Sequence, residues 1–218
     1  MKSSKMKLGS AWDFVSLGLV AGTLIISVLL EPSLPARIAT HFDIHGAPNG
    51  WSSRAFGVWF MPLFSLAIWA FIRFAMLAAP ESWRARAAAA PLPAAATATV
   101  AFLCGLQLIT LRAALHGGIG LGRELALLIG AMWIALAVLL PRIRRNPILG
   151  VRTAWTLSSD ENWARTHRVA SYTFLAGGLL ALAAGLTGVA AAATIALVAV
   201  IASALAPAAY SWAIARHT

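Results

Sequence analysis

Charge is what this chain has least of. Asp, Glu, Lys and Arg make up 11% of its 218 residues while 60% are hydrophobic, against roughly 25% charged residues in an average soluble domain. So low a charge excludes a water-soluble globular domain and identifies an integral membrane protein. There is one cysteine, Cys104, inside an apolar run, so no intramolecular disulfide and no dithiol redox chemistry exist. Acids are scarcer still: seven Asp and Glu against 17 Lys and Arg give a net charge of +10. In a soluble chain that excess would suggest nucleic acid. Here the basic residues sit mostly in short connections between apolar runs, which points to orientation against anionic lipid and not to direct nucleic-acid binding.

What is present is a series of long hydrophobic runs. Six are expected to cross the bilayer: residues 11–30, 56–78, 94–115, 121–140, 169–189 and 190–213. The basic MKSSKMK start followed by an apolar run resembles a signal peptide. The run is about 20 residues long, enough to span, and no small-residue cleavage site closes it, so it reads as a retained first span. Between Arg168 and Arg216 lie 47 residues without a charge or a histidine. That is too long for one span and suits two, with the turn at Gly185–Gly188. The expected fold is therefore an all-α bundle of six transmembrane helices, a single membrane domain over 1–218.

Thirteen Lys and Arg fall on the side of the N-terminus and four (Arg37, Arg54, Arg112, Arg123) on the other. By the positive-inside rule both termini are expected in the cytoplasm. Trp12, Trp83, Trp155, Trp163 and Trp212 then form an aromatic belt at the inner interface. Gly18 and Gly22 make a G-x-x-x-G seam in the first span.

Two connections exceed what joining spans requires. The outer one, residues 31–55, reads EPSLPARIATHFDIHGAPNGWSSRA. Pro32 and Pro35 break the first helix, and Gly46, Pro48, Asn49 and Gly50 are turn formers, so the loop is expected to be folded on the membrane surface. His41, Asp43 and His45 form H-x-D-x-H, residue types that suit zinc, but alternation brings the three together only on an extended chain. The alternative is that His41 and Asp43 bond the backbone of the turn. The latter is the reading taken, with no metal and no cofactor assigned.

The cytoplasmic connection, residues 141–168, opens on RIRRNP, a stop-transfer cluster suited to anionic headgroups or to an acidic partner. Ser158-Ser159-Asp160-Glu161 fits a capping box with Ser158 as N-cap and Glu161 at the third helical position. The helix that follows places Trp163 and His167 on one face. Thr156, Ser158, Ser159, Asp160 and His167 supply the residue types of a nucleophile and base. No G-x-S-x-G and no H-E-x-x-H occurs, so no catalytic role is assigned. Among the spans, Arg112 or Arg123 with Glu124 could form an ion pair.

The two loops together resemble the SdpI family. LPARIATHFDIHGAPNGWSSR is similar to the outer segment that opens many of its members. NPILGVRTAWTLSSDENWARTHR is similar to the family's cytoplasmic signature, through Asn146, Gly150, Arg152, Thr153, Trp155, Thr156, Trp163, Thr166 and His167. The resemblance implies a six-span, multi-pass protein of the bacterial cytoplasmic membrane. It further implies immunity to a secreted, membrane-active peptide toxin and a capacity to hold a transcriptional repressor at the membrane. On that reading His41, Asp43, Asn49 and Trp51 meet the extracellular peptide, and the nine signature residues carry structure and signalling toward the repressor, with the lipid bilayer the remaining partner. The competing expectation is a small transporter or membrane-embedded enzyme acting on a lipid or peptide, with Arg112, Glu124 and His41 lining an outer cavity.

Overall fold

A computed structural model describes residues 10–43, 48–78, 80, 91–117 and 121–216. In chain order these form α1 (Ala11–Leu30), β1 (Arg37–Phe42), β2 (Pro48–Ser53), α2 (Arg54–Ala78), α3 (Leu92–His116), α4 (Leu121–Leu139), α5 (Ala154–Ser158), α6 (Asp160–Thr187) and α7 (Ala192–Ala215). Single 3₁₀ turns follow α1 and α4. All but α5 among the helices are long and apolar enough to cross a membrane, six in total. Large apolar side chains such as Phe14, Leu29, Phe71 and Phe74 stand exposed around them, a perimeter that only lipid can cover without cost.

Capping places the helix ends. Ser10 and Asp13 make a reciprocal capping box at the start of α1: the Asp13 N–H donates to Ser10 Oγ, and the Ser10 N–H donates to Asp13 Oδ2. At the far end of α6 the chain leaves through Gly188, whose φ of 67° is left-handed. The turn expected at Gly185–Gly188 is thus present, with Gly185 still inside the helix. α6 begins at Asp160, well before the apolar run at 169. One face of its first turns (Asn162, Trp163, Thr166, His167) packs inside the protein while Asp160, Glu161, Arg165 and Arg168 stand exposed, so this part need not be oily.

The helices group as two sets of three. α1, α2 and α3 pack on one another, α4, α6 and α7 do likewise, and the α3–α4 contact joins the sets. Close approach in the second set depends on glycine: a Cβ on Gly178 would stand 3.0 Å from the Gly130 carbonyl oxygen on α4. Gly18 and Gly22 do not make the expected seam, since a Cβ on either would meet nothing within 4 Å. In the first set the helices are tied by polar contacts. Buried Gln107 on α3 donates to Ser27 Oγ on α1 (3.0 Å) and to the Gly57 carbonyl on α2 (2.9 Å).

Candidate functional site

At one end of the bundle the connection after α1 folds into a two-stranded antiparallel hairpin, with Arg37 opposite Ser53, Ala39 opposite Trp51 and His41 opposite Gly50. Of the turn formers read from sequence, Pro48, Asn49 and Gly50 lie within strand β2, and Gly46 lies outside the described residues. Ile38 anchors the hairpin. Fully buried, it joins Leu34, Val58 and Leu111 in an apolar cluster. A Cβ on Gly57 would come within 2.6 Å of Ile38 Cδ1, so glycine at the start of α2 makes the socket. His41, Asp43 and Asn49 are exposed on the hairpin, and Trp51 is 51% exposed. Beside Trp51 opens a cleft of about 190 Å³, walled by Phe42, Pro48 and Ile38 on the hairpin and by Ala113, Ala114 and Gly117 at the end of α3. His45 lies outside the described residues, so the H-x-D-x-H motif is not seen as a unit.

The expected ion pair forms, with Arg112 Nε 2.6 Å from Glu124 Oε1 between α3 and α4. Neither partner, and not His41, is among the residues that line the cleft. This cleft is therefore not built from the three residues expected to line an outer cavity of a transporter or enzyme.

At the other end, residues 143–167 form one hydrogen-bonded assembly. Asn146, 1% exposed, uses its whole capacity locally: Nδ2 donates to the carbonyls of Arg144 and Leu149, and Oδ1 accepts from the N–H groups of Ile148 and Leu149. This folds the Asn-Pro segment into a tight loop. Gly150 follows with φ 122°, and a Cβ there would press on His167 Nε2 and lie 3.0 Å from the Trp163 ring. The loop thus lies directly on α6. His167 is buried and occupied at both nitrogens: Nδ1 lies 2.9 Å from the Trp163 carbonyl and Nε2 accepts from the Val151 N–H at 3.2 Å. A ring that accepts at Nε2 must donate at Nδ1, which fixes the neutral tautomer. Trp163 stacks on His167 with centroids 4.1 Å apart and donates from Nε1 to the Ile143 carbonyl.

The remaining signature residues extend the network. Thr153 caps α5 in a reciprocal box with Thr156, and Thr156 Oγ1 also donates to the Val151 carbonyl. Thr153 Oγ1 contacts Ser211 Oγ on α7 at 3.0 Å. Thr166 donates to Asn162 Oδ1, and Asn162 Nδ2 donates to the Ser211 carbonyl. Arg145 grips the α5–α6 junction, pairing with Asp160 at 2.7 Å and donating to the Leu157 carbonyl. Of the nine signature residues only Arg152 and Trp155 are exposed.

Three expectations are corrected here. The N-cap of α6 is Ser159, whose Oγ accepts from the Asn162 N–H; Ser158 ends α5 and donates to the Trp155 carbonyl. The extra short helix α5 displaced the cap by one residue. Trp163 is 3% exposed and belongs to the core, not to an interfacial belt, whereas Trp12, Trp155 and Trp212 are partly exposed; Trp83 lies outside the described residues. Arg73, one of the thirteen Lys and Arg counted on the side of the N-terminus for orientation against anionic lipid, is buried against Asp13. Sequence reasoning passed over Asp13, Asn162 and Ser211, and named Ser159 without giving it the cap. For Asp13 a signal existed, in the S-x-x-D pattern and in an acid placed just inside an apolar run.

A six-helix membrane bundle with a strand hairpin clamped at one end and a hydrogen-bonded loop sealing the other defines the class: a polytopic helical membrane protein. Residues 142–211, which take in the loop, α5, α6 and most of α7, match the model of the SdpI/YfhL protein family. Residues 18–66, which hold the hairpin and the adjoining parts of α1 and α2, match a domain of unknown function, DUF1648. The match supports membership of the SdpI/YfhL family through residues 142–211. No curated protein and no solved structure matches it.

Proposed function

We propose that this SdpI-family membrane protein is an immunity and signalling protein of the bacterial cytoplasmic membrane. In this reading the hairpin end faces outward and meets a secreted, membrane-active peptide, and the signature end faces the cytoplasm and engages a transcriptional repressor. The observation that carries the reading is the open apolar cleft beside exposed Trp51, on a hairpin held rigidly by Ile38. Its volume slightly exceeds the roughly 150 Å³ of an engineered cavity that takes up benzene, so it accommodates one large apolar side chain.

A physical link joins the two ends. α2 begins at the hairpin, where Val58 packs with Ile38, and ends where Met76 joins Ile143 and Trp163, with Ile148 and Leu149 packed alongside. Pro62 inside α2 removes one backbone hydrogen bond and provides a bending point between them. A peptide that favours one setting of α2 can thereby alter the loop at its far end. Arg152 and Trp155 are the signature residues available to a protein partner. A binding role is favoured over a catalytic one because Thr156, Ser158, Ser159 and His167 are each engaged in local hydrogen bonds.

The test is survival of a sensitive bacterium expressing the full chain under challenge with a panel of secreted membrane-active peptides. Selective protection against one of them is expected. Equal killing by every peptide, with and without the chain, contradicts the reading.

A further inference from the structure

Where α4 ends and α6 begins, the surface holds a pocket of about 370 Å³ whose rim is made by Arg142, Arg144 and Arg145 and whose inner wall includes Trp163 and His167. We propose that this pocket binds the phosphate headgroup of an anionic phospholipid. The inference depends on the chain being a membrane protein and is independent of the toxin reading above.

The argument begins with how each charge is used. Arg145 is committed, pairing with Asp160 and donating to the Leu157 carbonyl, so it serves as a fixed wall. Arg142 spends one N–H on the Val138 carbonyl, at 3.1 Å. Its other donors, and the whole guanidinium of Arg144, have no acceptor among the described residues. Three guanidinium groups against the single carboxylate of Asp160 leave an excess of two positive charges. His167 adds none, because its Nε2 accepts a hydrogen bond from Val151. The pocket therefore offers free, forked donors to an anion, the geometry with which arginine binds phosphate.

Position selects the source of that phosphate. Arg142 closes a helix long enough to span the bilayer, and Val138, one turn earlier, is 52% exposed on its apolar side. A headgroup seated between Arg142 and Arg144 would keep its acyl chains along the apolar length of α4. A soluble anion gains nothing from that neighbour. Basic pockets between transmembrane helices are a known way to hold anionic headgroups.

The experiment uses the purified full chain in phosphatidylcholine nanodiscs or mixed micelles, titrated with phosphatidylglycerol or cardiolipin, with bound lipid counted by native mass spectrometry. The variants are Arg142→Gln with Arg144→Gln and, as an equal loss of charge outside the pocket, Arg152→Gln with Arg216→Gln. All four side chains are solvent-facing or nearly so, and unchanged melting confirms folding. Anionic lipid is expected to be retained over phosphatidylcholine, with a loss of about 30-fold in the pocket variant, at about fivefold per basic residue, and little loss in the control. Equal losses in the two variants would reduce the pocket to diffuse charge and overturn the proposal. So would displacement of the lipid by inorganic phosphate at matched concentration, which would assign the pocket to a soluble anion.

Discussion

Asp13 and Arg73 meet across α1 and α2, carboxylate oxygen to guanidinium Nε at 3.2 Å, with side chains only 9% and 7% exposed. The pair is lopsided. Asp13 is well supplied, accepting from Ser10 N–H and Oγ and from the Trp69 indole at 3.3 Å. Arg73 has no geometrically sound hydrogen bond at either Nε or Nη2, so proximity to Asp13 is what compensates its burial. Removing the carboxylate should therefore hurt more than removing the guanidinium. Asp13→Ala is expected to destabilise the protein by about 3–5 kcal/mol, the usual consequence of stranding a buried charge. Arg73→Met should cost less, and the Asp13→Ala, Arg73→Met double variant should recover part of the loss. Chemical unfolding of the four proteins in one detergent gives the cycle; additive losses would show that the two residues do not interact.

Gly150 should be irreplaceable on two grounds, its φ of 122° and the contact of any side chain with His167 and Trp163. Gly150→Ala is expected to cost at least about 1–3 kcal/mol from backbone strain alone. The shift in thermal midpoint checks this, and a midpoint equal to that of the unaltered protein would mean the loop does not lie on α6 as described.

The two adjacent serines should behave differently. Ser159 caps α6, so Ser159→Ala should cost about 0.5–2 kcal/mol. Ser158 is exposed and its hydroxyl returns to its own helix, so Ser158→Ala should stay within about 0.5 kcal/mol. Parallel melts decide, and the reverse ranking would restore the cap to Ser158.

That pair of serines shows where reading the sequence stops. Both are N-cap residue types standing ahead of Asp160 and Glu161, and only the presence of α5, itself begun by the Thr153–Thr156 box, determines which one begins α6. The six spans were legible because apolar length is a local property, and the glycine turn at 185–188 because nothing else interrupts the long uncharged run. The signature residues could be singled out by pattern, but not their use. Asn146, Trp163 and His167 gain meaning from partners up to 20 residues away, and their burial beneath the loop leaves Arg152 and Trp155 as its accessible members. Asp13 and Arg73 are 60 positions apart, and no local pattern pairs them.

The Ile38 anchor should govern the hairpin without disturbing the opposite end. Gly57→Ala forces a Cβ against Ile38 and is expected to cost about 1–3 kcal/mol as an overpacked contact. Hydrogen exchange should accelerate at β1 and β2 and stay unchanged at residues 146–167. Equal acceleration at both ends would mean that Ile38 is not a local anchor.

The division of labour between the ends rests on which side chains are reachable. Substitutions at His41, Asp43 or Trp51 are expected to impair protection and signalling together, and Arg152→Ala to impair signalling alone. Trp163→Ala is a poor probe of docking, because its ring is core and its loss would unsettle the whole loop. The most direct measurement is survival of bacteria under challenge by the peptide against which the chain protects, at matched membrane levels of unaltered protein, Trp51→Ala and Arg152→Ala. Protection retained by Arg152→Ala and lost by Trp51→Ala is the predicted result; protection retained by Trp51→Ala and lost by Arg152→Ala would contradict it.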